Sequence, residues 1–263
     1  METHLRGAHR GIWVVIPAYN EAASIRDIVE RTLAILPHVV VVDDGSDEAL
    51  DKALRGVSVV VLRNETNCGK AAALVRGFAH ALKHRAVAVV TLDGDGQHRP
   101  EDIPRLIAAA RQHPRRIVIG ARLSGLENAP RSRRRANRIA NFWIGWAAGQ
   151  RIVDSQSGFR LYPAELLTSV HVAHDRAHGF VFESEILIAA ARKGFQTTPV
   201  AIEALYPPAA RPSHFSPVRD IVRITRMVAW RLFCAGLYPQ GLWRCMADRR
   251  TSRAPTYASH LGR

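Results

Sequence analysis

The sequence predicts an α/β protein: a Rossmann-like, mostly parallel sheet with helices on both faces, followed by a basic helical extension on the C-terminal side. Three observations carry this. Over the first 120 residues, five short Val- and Ile-rich runs alternate with amphipathic stretches. At or just after the ends of four of those runs, the first, second, fourth and fifth, lie Asp, Asn or Gly, residues that favour turns and helix starts. The net charge of +14 is also unevenly spread: residues 1–98 hold 11 basic and 12 acidic side chains, and residues 99–263 hold 26 and 11.

Taken in order, Gly11–Pro17, His38–Asp43, Val57–Leu62, Ala86–Leu92 and Arg116–Gly120 read as strands. Helical patterns lie between them near Glu21–Leu36, Asp47–Leu54, Gly69–Lys83 and Pro100–Gln112. The last of these opens on Pro100, Glu101 and Asp102, residues suited to a helix's first turn. Such alternation implies parallel strands covered on both faces. Beyond residue 120, Pro130–Gly149 reads as an arginine-rich entry to a helix bearing Phe142, Trp143 and Trp146. Asp154–Tyr162 reads as a turn and short strand, Phe180–Lys193 as a helix and Thr197–Tyr206 as a strand. Pro207–Pro217, with four prolines, is a loop; Arg219–Leu237 is helical, and Ala247–Arg263 is a frayed tail. These boundaries predict one domain over residues 11–235, with halves 11–122 and 123–235, and a basic tail over 236–263.

Composition narrows the function. With 47% hydrophobic and 23% charged residues the chain is neither disordered nor collagen-like. Three cysteines without CxxC spacing argue against a disulfide framework or structural zinc and favour a reducing compartment. The apolar stretch Ile12–Ile16 is too short for a secretory signal. No apolar run reaches the ~18 residues of a spanning helix, so any membrane contact is expected to be peripheral. The basic surplus points to nucleic acid, an acidic membrane surface or phosphorylated substrates.

In sheets of this kind ligands sit beyond the carboxyl ends of the strands. The residues there are Pro17-Ala18-Tyr19-Asn20-Glu21, Asp43-Asp44-Gly45-Ser46, Asp93-Gly94-Asp95-Gly96-Gln97-His98 and Gly120-Ala121-Arg122. Any one of them alone reads equally well as a turn or helix cap; four on one edge read as a shared site. Asp93 and Asp95, one residue apart, can share a hard cation such as Mg²⁺ or Mn²⁺, whose remaining positions suit water and phosphate oxygens. A cation so held neutralises a diphosphate leaving group.

These motifs, with Asn67-x-Gly69-Lys70 and Pro100-Glu101, resemble family 2 glycosyltransferases with a GT-A fold. Within them the chain is most similar to dolichyl- and polyprenyl-phosphate hexose synthases, a likeness extended by Asp154-x-x-Ser157-Gly158-Phe159-Arg160 and Phe182-x-x-Glu185-Ile186. It spans roughly residues 11–235. The resemblance implies a nucleotide-sugar pocket of Pro17, Ala18, Tyr19, Glu21, Asp43, Asp44 and Lys70. Asp93, Gly94, Asp95 and Gln97 would lie at the diphosphate and its metal, with Asp93, Asp95 and Gln97 as metal ligands and Arg122 near the phosphates or acceptor. Asp93, Asp95 and Glu185 would be catalytic, and Asp154, Ser157 and Arg160 would shape the acceptor side. Where dolichyl-phosphate mannose synthases carry Arg-x-x-Gly-x-Ser-Lys over the site, this chain has Pro208–His214, with Arg211 and His214 as the available polar groups.

Arg131, Ser132, Arg134 and Arg135 belong to a cluster with five arginines in eight residues, suited to a lipid phosphate or headgroups; a solvated face is the alternative. Arg219, Arg223 and Arg226 form a stripe that Trp230 continues, opposite Ile221, Ile224, Val228 and Leu232. This pattern fits either an interfacial helix or one packed on the domain. The expected activity is metal-dependent, inverting transfer of a hexose from a UDP- or GDP-sugar to a polyprenyl phosphate. The expected location is peripheral, on the cytoplasmic face of the membrane. A hydroxyl acceptor, with Glu185 or Asp154 as base, is the alternative. A nucleic-acid partner is disfavoured by the acidic edge.

Overall fold

The structure is a computed structural model and describes residues 11–124, 131–170, 172, 179–203, 205 and 217–251. The strands are β1 (Ile12–Ala18), β2 (Val39–Asp43), β3 (Val60–Arg63), β4 (Ala88–Thr91), β5 (Arg116–Ser124), β6 (Arg160–Pro163) and β7 (Gln196–Glu203). They form one sheet in the order β3-β2-β1-β4-β6-β5-β7. β1 pairs in parallel with β2 and β4, β2 with β3, and β5 with β7. β6 runs antiparallel to both β4 and β5. The sheet is therefore mostly parallel, as the strand–helix alternation implies.

The helices are α1 (Ile25–Leu33), α2 (Leu50–Ala53), α3 (Lys70–Lys83), α4 (Ile103–Gln112, after a 3₁₀ turn over Pro100–Asp102), α5 (Arg131–Ala148), α6 (Ala164–Ser169), α7 (Gly179–Arg192), α8 (Pro217–Cys234) and α9 (Pro239–Thr251). β1 and β2 are buried along their whole length, which explains why they read as unbroken apolar runs rather than alternating ones. Alternate side chains still go to opposite faces. Val14, Ile16, Val39 and Val41 join Ile25 and Ile28 of α1 and Ile103 and Leu106 of α4 in one core. Trp13, Val15, Val40 and Val42 join Leu74 and Phe78 of α3, Ile144 of α5, Leu187 of α7 and Val228 of α8 in the other.

The predicted turn and short strand over 154–162 are present, the strand as β6, Arg160–Pro163. The chain enters β6 from the edge where β4 ends, pairing Arg160 with Thr91, so the Asp154–Phe159 loop lies over the carboxyl edge. The tail expected from residue 236 is replaced, from 239 to 251, by α9. Gly241 and Cys245, four residues apart, are buried as α9 packs on α5, and the Trp146 indole N–H donates to Tyr238 O at 3.1 Å. The arginine-rich sequence of α9 carries no apolar stripe that would announce this contact. Among the described residues no helix is long and apolar enough to cross a membrane.

Candidate active site

The acidic turn after β4 is enclosed by three other segments of the chain. Ser24, just before α1, donates from Oγ to Gly94 O at 2.6 Å and so ties the β1–α1 turn to it. On its other side, Thr91 Oγ1 donates to Gly158 O at 2.7 Å, drawing the 154–159 loop across the strand end. From α3, Lys70 places its ammonium 2.7 Å from Asp93 Oδ1 and 3.1 Å from Glu183 Oε1 on α7. Gly158 makes room for this pairing: a Cβ there would lie 2.5 Å from Asp93 Oδ2 and 2.8 Å from Lys70 Nζ.

The electrostatics follow from burial and pairing. Burial by itself would raise the Asp93 carboxyl, but the adjacent Lys70 charge outweighs it and holds Asp93 below the usual carboxylate range. Lys70 is likewise opposed by burial and raised by Asp93 and Glu183. Asp95 goes the other way, pushed up by burial and then by the negative charge of Asp93, although its Oδ1 accepts the Gln97 N–H at 3.0 Å. Two carboxylates one residue apart, one of them with its charged form disfavoured by burial and by its neighbour, fit a hard divalent cation. His98 is buried beside them, its ring tilted against that of Phe159, and burial lowers its imidazole to about 4, so it is neutral at pH 7.

Several expected ligands turn out to organise the site's backbone. Asp43 is buried and accepts from Ser46 N (2.9 Å), Leu50 N (3.2 Å) and the Arg63 guanidinium (2.5 Å). Asp44 accepts from Gly69 N (2.7 Å), Cys68 N (3.0 Å) and Asn64 Nδ2 (2.7 Å), which orders the turn leading into α3 and thereby places Lys70. Pro17 and Ala18 lie within β1, and Tyr19 and Glu21 follow it half-buried. Asn20, at φ 59°, is pinned through its N–H to Ser46 Oγ at 2.8 Å.

A model of the family described as "Glycosyl transferase family 2" matches residues 13–183. The chain belongs to glycosyltransferase family 2. Undecaprenyl-phosphate mannosyltransferase of Micrococcus luteus is 30% identical over 73% of this chain and 82% of its own length. Polyprenol monophosphomannose synthase of Mycolicibacterium smegmatis is 30% identical over 72% and 75%. Among solved structures, glucosyl-3-phosphoglycerate synthase from Mycobacterium tuberculosis in complex with Mn²⁺, UDP and glucosyl-3-phosphoglycerate superposes with a TM-score of 0.63. It covers 94% of this chain and 84% of its own at 20% identity, which establishes the GT-A-like fold.

In this glycosyltransferase the acceptor-side expectations are only partly brought together. Arg122 is held by Asp154, its Nε and Nη2 each 2.8 Å from a carboxylate oxygen. Arg160 is fully buried and donates to Ser157 O, Glu183 O, Ser155 O and the Tyr162 hydroxyl, so its guanidinium braces the loop rather than meeting a ligand. Ser157 Oγ is buried against Gly120 O at 2.6 Å. Glu185 faces away from Lys70 and pairs with Arg231 of α8. Arg134 is half-buried and Arg135 exposed on α5. Arg131 and Ser132 open that helix, and their side chains, like all of Arg211 and His214, lie outside the described residues.

Sequence reasoning missed Glu183 and the structural use of Gly158 and Ser24. Two glutamates two residues apart on a helix sit about 200° apart around its axis. The spacing lets only one of the pair meet Lys70, and the packing of α7 selects Glu183. Gly158 does appear in the family-like Ser-Gly-Phe-Arg motif, but its reason, space for an ion pair, is a tertiary one.

Proposed function

We propose that this enzyme transfers a hexose from a nucleoside-diphosphate sugar, UDP- or GDP-linked, to a polyprenyl phosphate, with inversion at the anomeric carbon. The observation that carries the reading is the Asp93–Lys70–Glu183 cluster beside Asp95, at the carboxyl edge of the sheet. Asp93, Asp95 and Gln97 would hold Mg²⁺ or Mn²⁺. A divalent cation there supplies charge neutralisation for the departing nucleoside diphosphate. Pro17, Tyr19 and Glu21 would flank the nucleoside, with Asp43 and Asp44 fixing the turns that shape its pocket. The similar solved synthase, which binds Mn²⁺ and UDP, supports this assignment by analogy of fold.

A phosphate acceptor is favoured over a hydroxyl acceptor by the state of the two candidate bases. Asp154 is committed to Arg122 and Glu185 to Arg231. A phosphate acceptor is already anionic near pH 7 and needs no base, so positioning and electrostatics suffice. The names of the two relatives point to the same acceptor class. Membrane contact would be peripheral, on the cytoplasmic face. Trp143 of α5, Trp230 and Phe233 of α8, and Trp243 and Met246 of α9 are all exposed, among arginines that include Arg135, Arg138, Arg226 and Arg244. Exposed aromatics with basic neighbours suit an anionic headgroup layer.

The test is a transfer assay with UDP- and GDP-hexoses, polyprenyl phosphate and the free polyprenol, in the presence of Mn²⁺ or Mg²⁺. Transfer to the phosphate but not the alcohol is expected, and Asp95→Ala is expected to abolish it while leaving the melting temperature close to that of the native enzyme. Near-normal turnover by Asp95→Ala would sink the metal assignment, and preference for the alcohol would sink the acceptor assignment.

A further inference from the structure

Lys70 and Glu183 form, with Asp93, a three-membered charge cluster in which one cation serves two anions. The Lys70 ammonium is 2.7 Å from Asp93 and 3.1 Å from Glu183. The Glu183 side chain is only 9% exposed and those of Lys70 and Asp93 about a quarter. A carboxylate buried this far is costly without a partner. The lack of a Cβ at Gly158 leaves the room that the Lys70–Asp93 pair occupies. Lys70 therefore sits on the same carboxylate that the proposed divalent cation must engage.

Competition for Asp93 follows from this geometry. An ammonium held against Asp93 opposes a second cation at the same carboxylate by like-charge repulsion. If Lys70 had no other partner, taking up the metal would leave a buried lysine charge unpaired. Glu183 removes that difficulty. It lies within reach of the same Nζ, on a different element from Asp93, and the flexible lysine stem permits a small swing between the two carboxylates. Glu183 pairs through its side chain with Lys70, and its backbone carbonyl is fixed by Arg160 at 2.7 Å, so its position is held.

We propose that Glu183 is a positioning residue: it retains the Lys70 ammonium when Asp93 is handed to the divalent cation, so that Lys70 acts in the free enzyme as the cation's stand-in. The inference rests on the metal-dependent reading above and adds to it a specific exchange of partners.

Mn²⁺ uptake measured by electron paramagnetic resonance, with Mn²⁺ alone and with UDP or GDP added, tests it through binding rather than turnover. Glu183→Gln is expected to raise the Mn²⁺ dissociation constant about tenfold, as loss of an outer-sphere partner commonly does. Lys70→Met is expected to lower it, because the competing ammonium is gone. In the double variant the Glu183→Gln effect should disappear, since Glu183 acts through Lys70. An unchanged dissociation constant in Glu183→Gln overturns the inference. So does the same fold-loss in both backgrounds, which would make Glu183 a mere source of negative charge. Thermal melts check that each variant is folded, and Lys70→Gln replaces Lys70→Met if the latter does not fold. Failure of the native enzyme to take up Mn²⁺ under any of these conditions overturns the metal reading and this inference together. Uptake by the native enzyme with no effect of Glu183→Gln overturns the inference alone.

Discussion

Asp154 shows how a polar residue on a catalytic edge can be structural. At φ 52° it turns the chain, and its carboxylate takes three hydrogen bonds from Arg122, one of them from the backbone N–H. Burial would raise its carboxyl, but the Arg122 hydrogen bonds and charge outweigh this and hold it below the usual value of 3.8. A carboxyl whose folded value is depressed contributes stability above its unfolded value and loses it as pH falls through the folded one. Asp154→Asn is therefore expected to cost about 3 kcal/mol near pH 7, since it removes the carboxylate charge paired with a largely buried guanidinium. The gap to the native enzyme should narrow as pH drops from 5 towards 3, as read from urea denaturation at each pH. A gap that stays constant with pH would show that the Arg122–Asp154 pair is not its source. The motif Asp154-x-x-Ser157-Gly158-Phe159-Arg160 was thus visible as a unit in the sequence. The division of labour within it was not, because Arg160 is occupied by carbonyls of Ser155, Ser157 and Glu183 that only the folded chain brings around it.

Among the elements, the strands and helices of the first 120 residues were legible to within a few residues, because each alternates a buried apolar run with an amphipathic one. The later elements were harder. β6 runs against its neighbours, and a four-residue strand carries no direction in its composition. α9 is held by close approach rather than by an apolar stripe. A Cβ at Gly241 would lie 2.1 Å from the Tyr238 ring and 2.9 Å from Trp146 O. Gly241→Ala is accordingly expected to lift α9 from α5 at a cost of about 1–3 kcal/mol, as overpacking does. Amide hydrogen exchange over residues 239–247 should quicken, while exchange in β1 and β4 stays slow. Unchanged protection over 239–247 would mean that α9 is anchored elsewhere.

Across the molecule, charge and exposed aromatic area coincide. α8 and α9 both pack on α5, and the outward residues Trp230, Phe233, Leu237 and Trp243 are each more than 60% exposed. Exposed apolar groups of this size mark an interaction surface when they gather. Anionic lipid adds about 1 kcal/mol for each basic residue near the surface. The enzyme is expected to co-float with vesicles containing phosphatidylglycerol and to be released by salt, whereas neutral vesicles hold it weakly. Replacing Trp230, Phe233 and Trp243 together by alanine should lower vesicle affinity at least about tenfold, since roughly 1.5–3 kcal/mol attends each large apolar side chain removed from water. Turnover on a short-chain, water-soluble acceptor should be unaffected. Equal binding of the native and triple-substituted enzymes would place the membrane contact elsewhere.

The division between what was readable along the chain and what was not has a physical cause. Family, fold class, the acidic edge and the neutral–basic split are properties of local runs and spacings, and these survive in one dimension. Glu183 rather than Glu185 at Lys70, Arg122 bound to Asp154 and α9 seated on α5 all depend on which groups meet across 30 or more residues of chain, and Arg160 is buried among carbonyls from two separate segments. Hydrogen bonds and ion pairs act over a few ångströms, so the choice among chemically equivalent acids and arginines was made by packing, and packing exists only in the folded molecule.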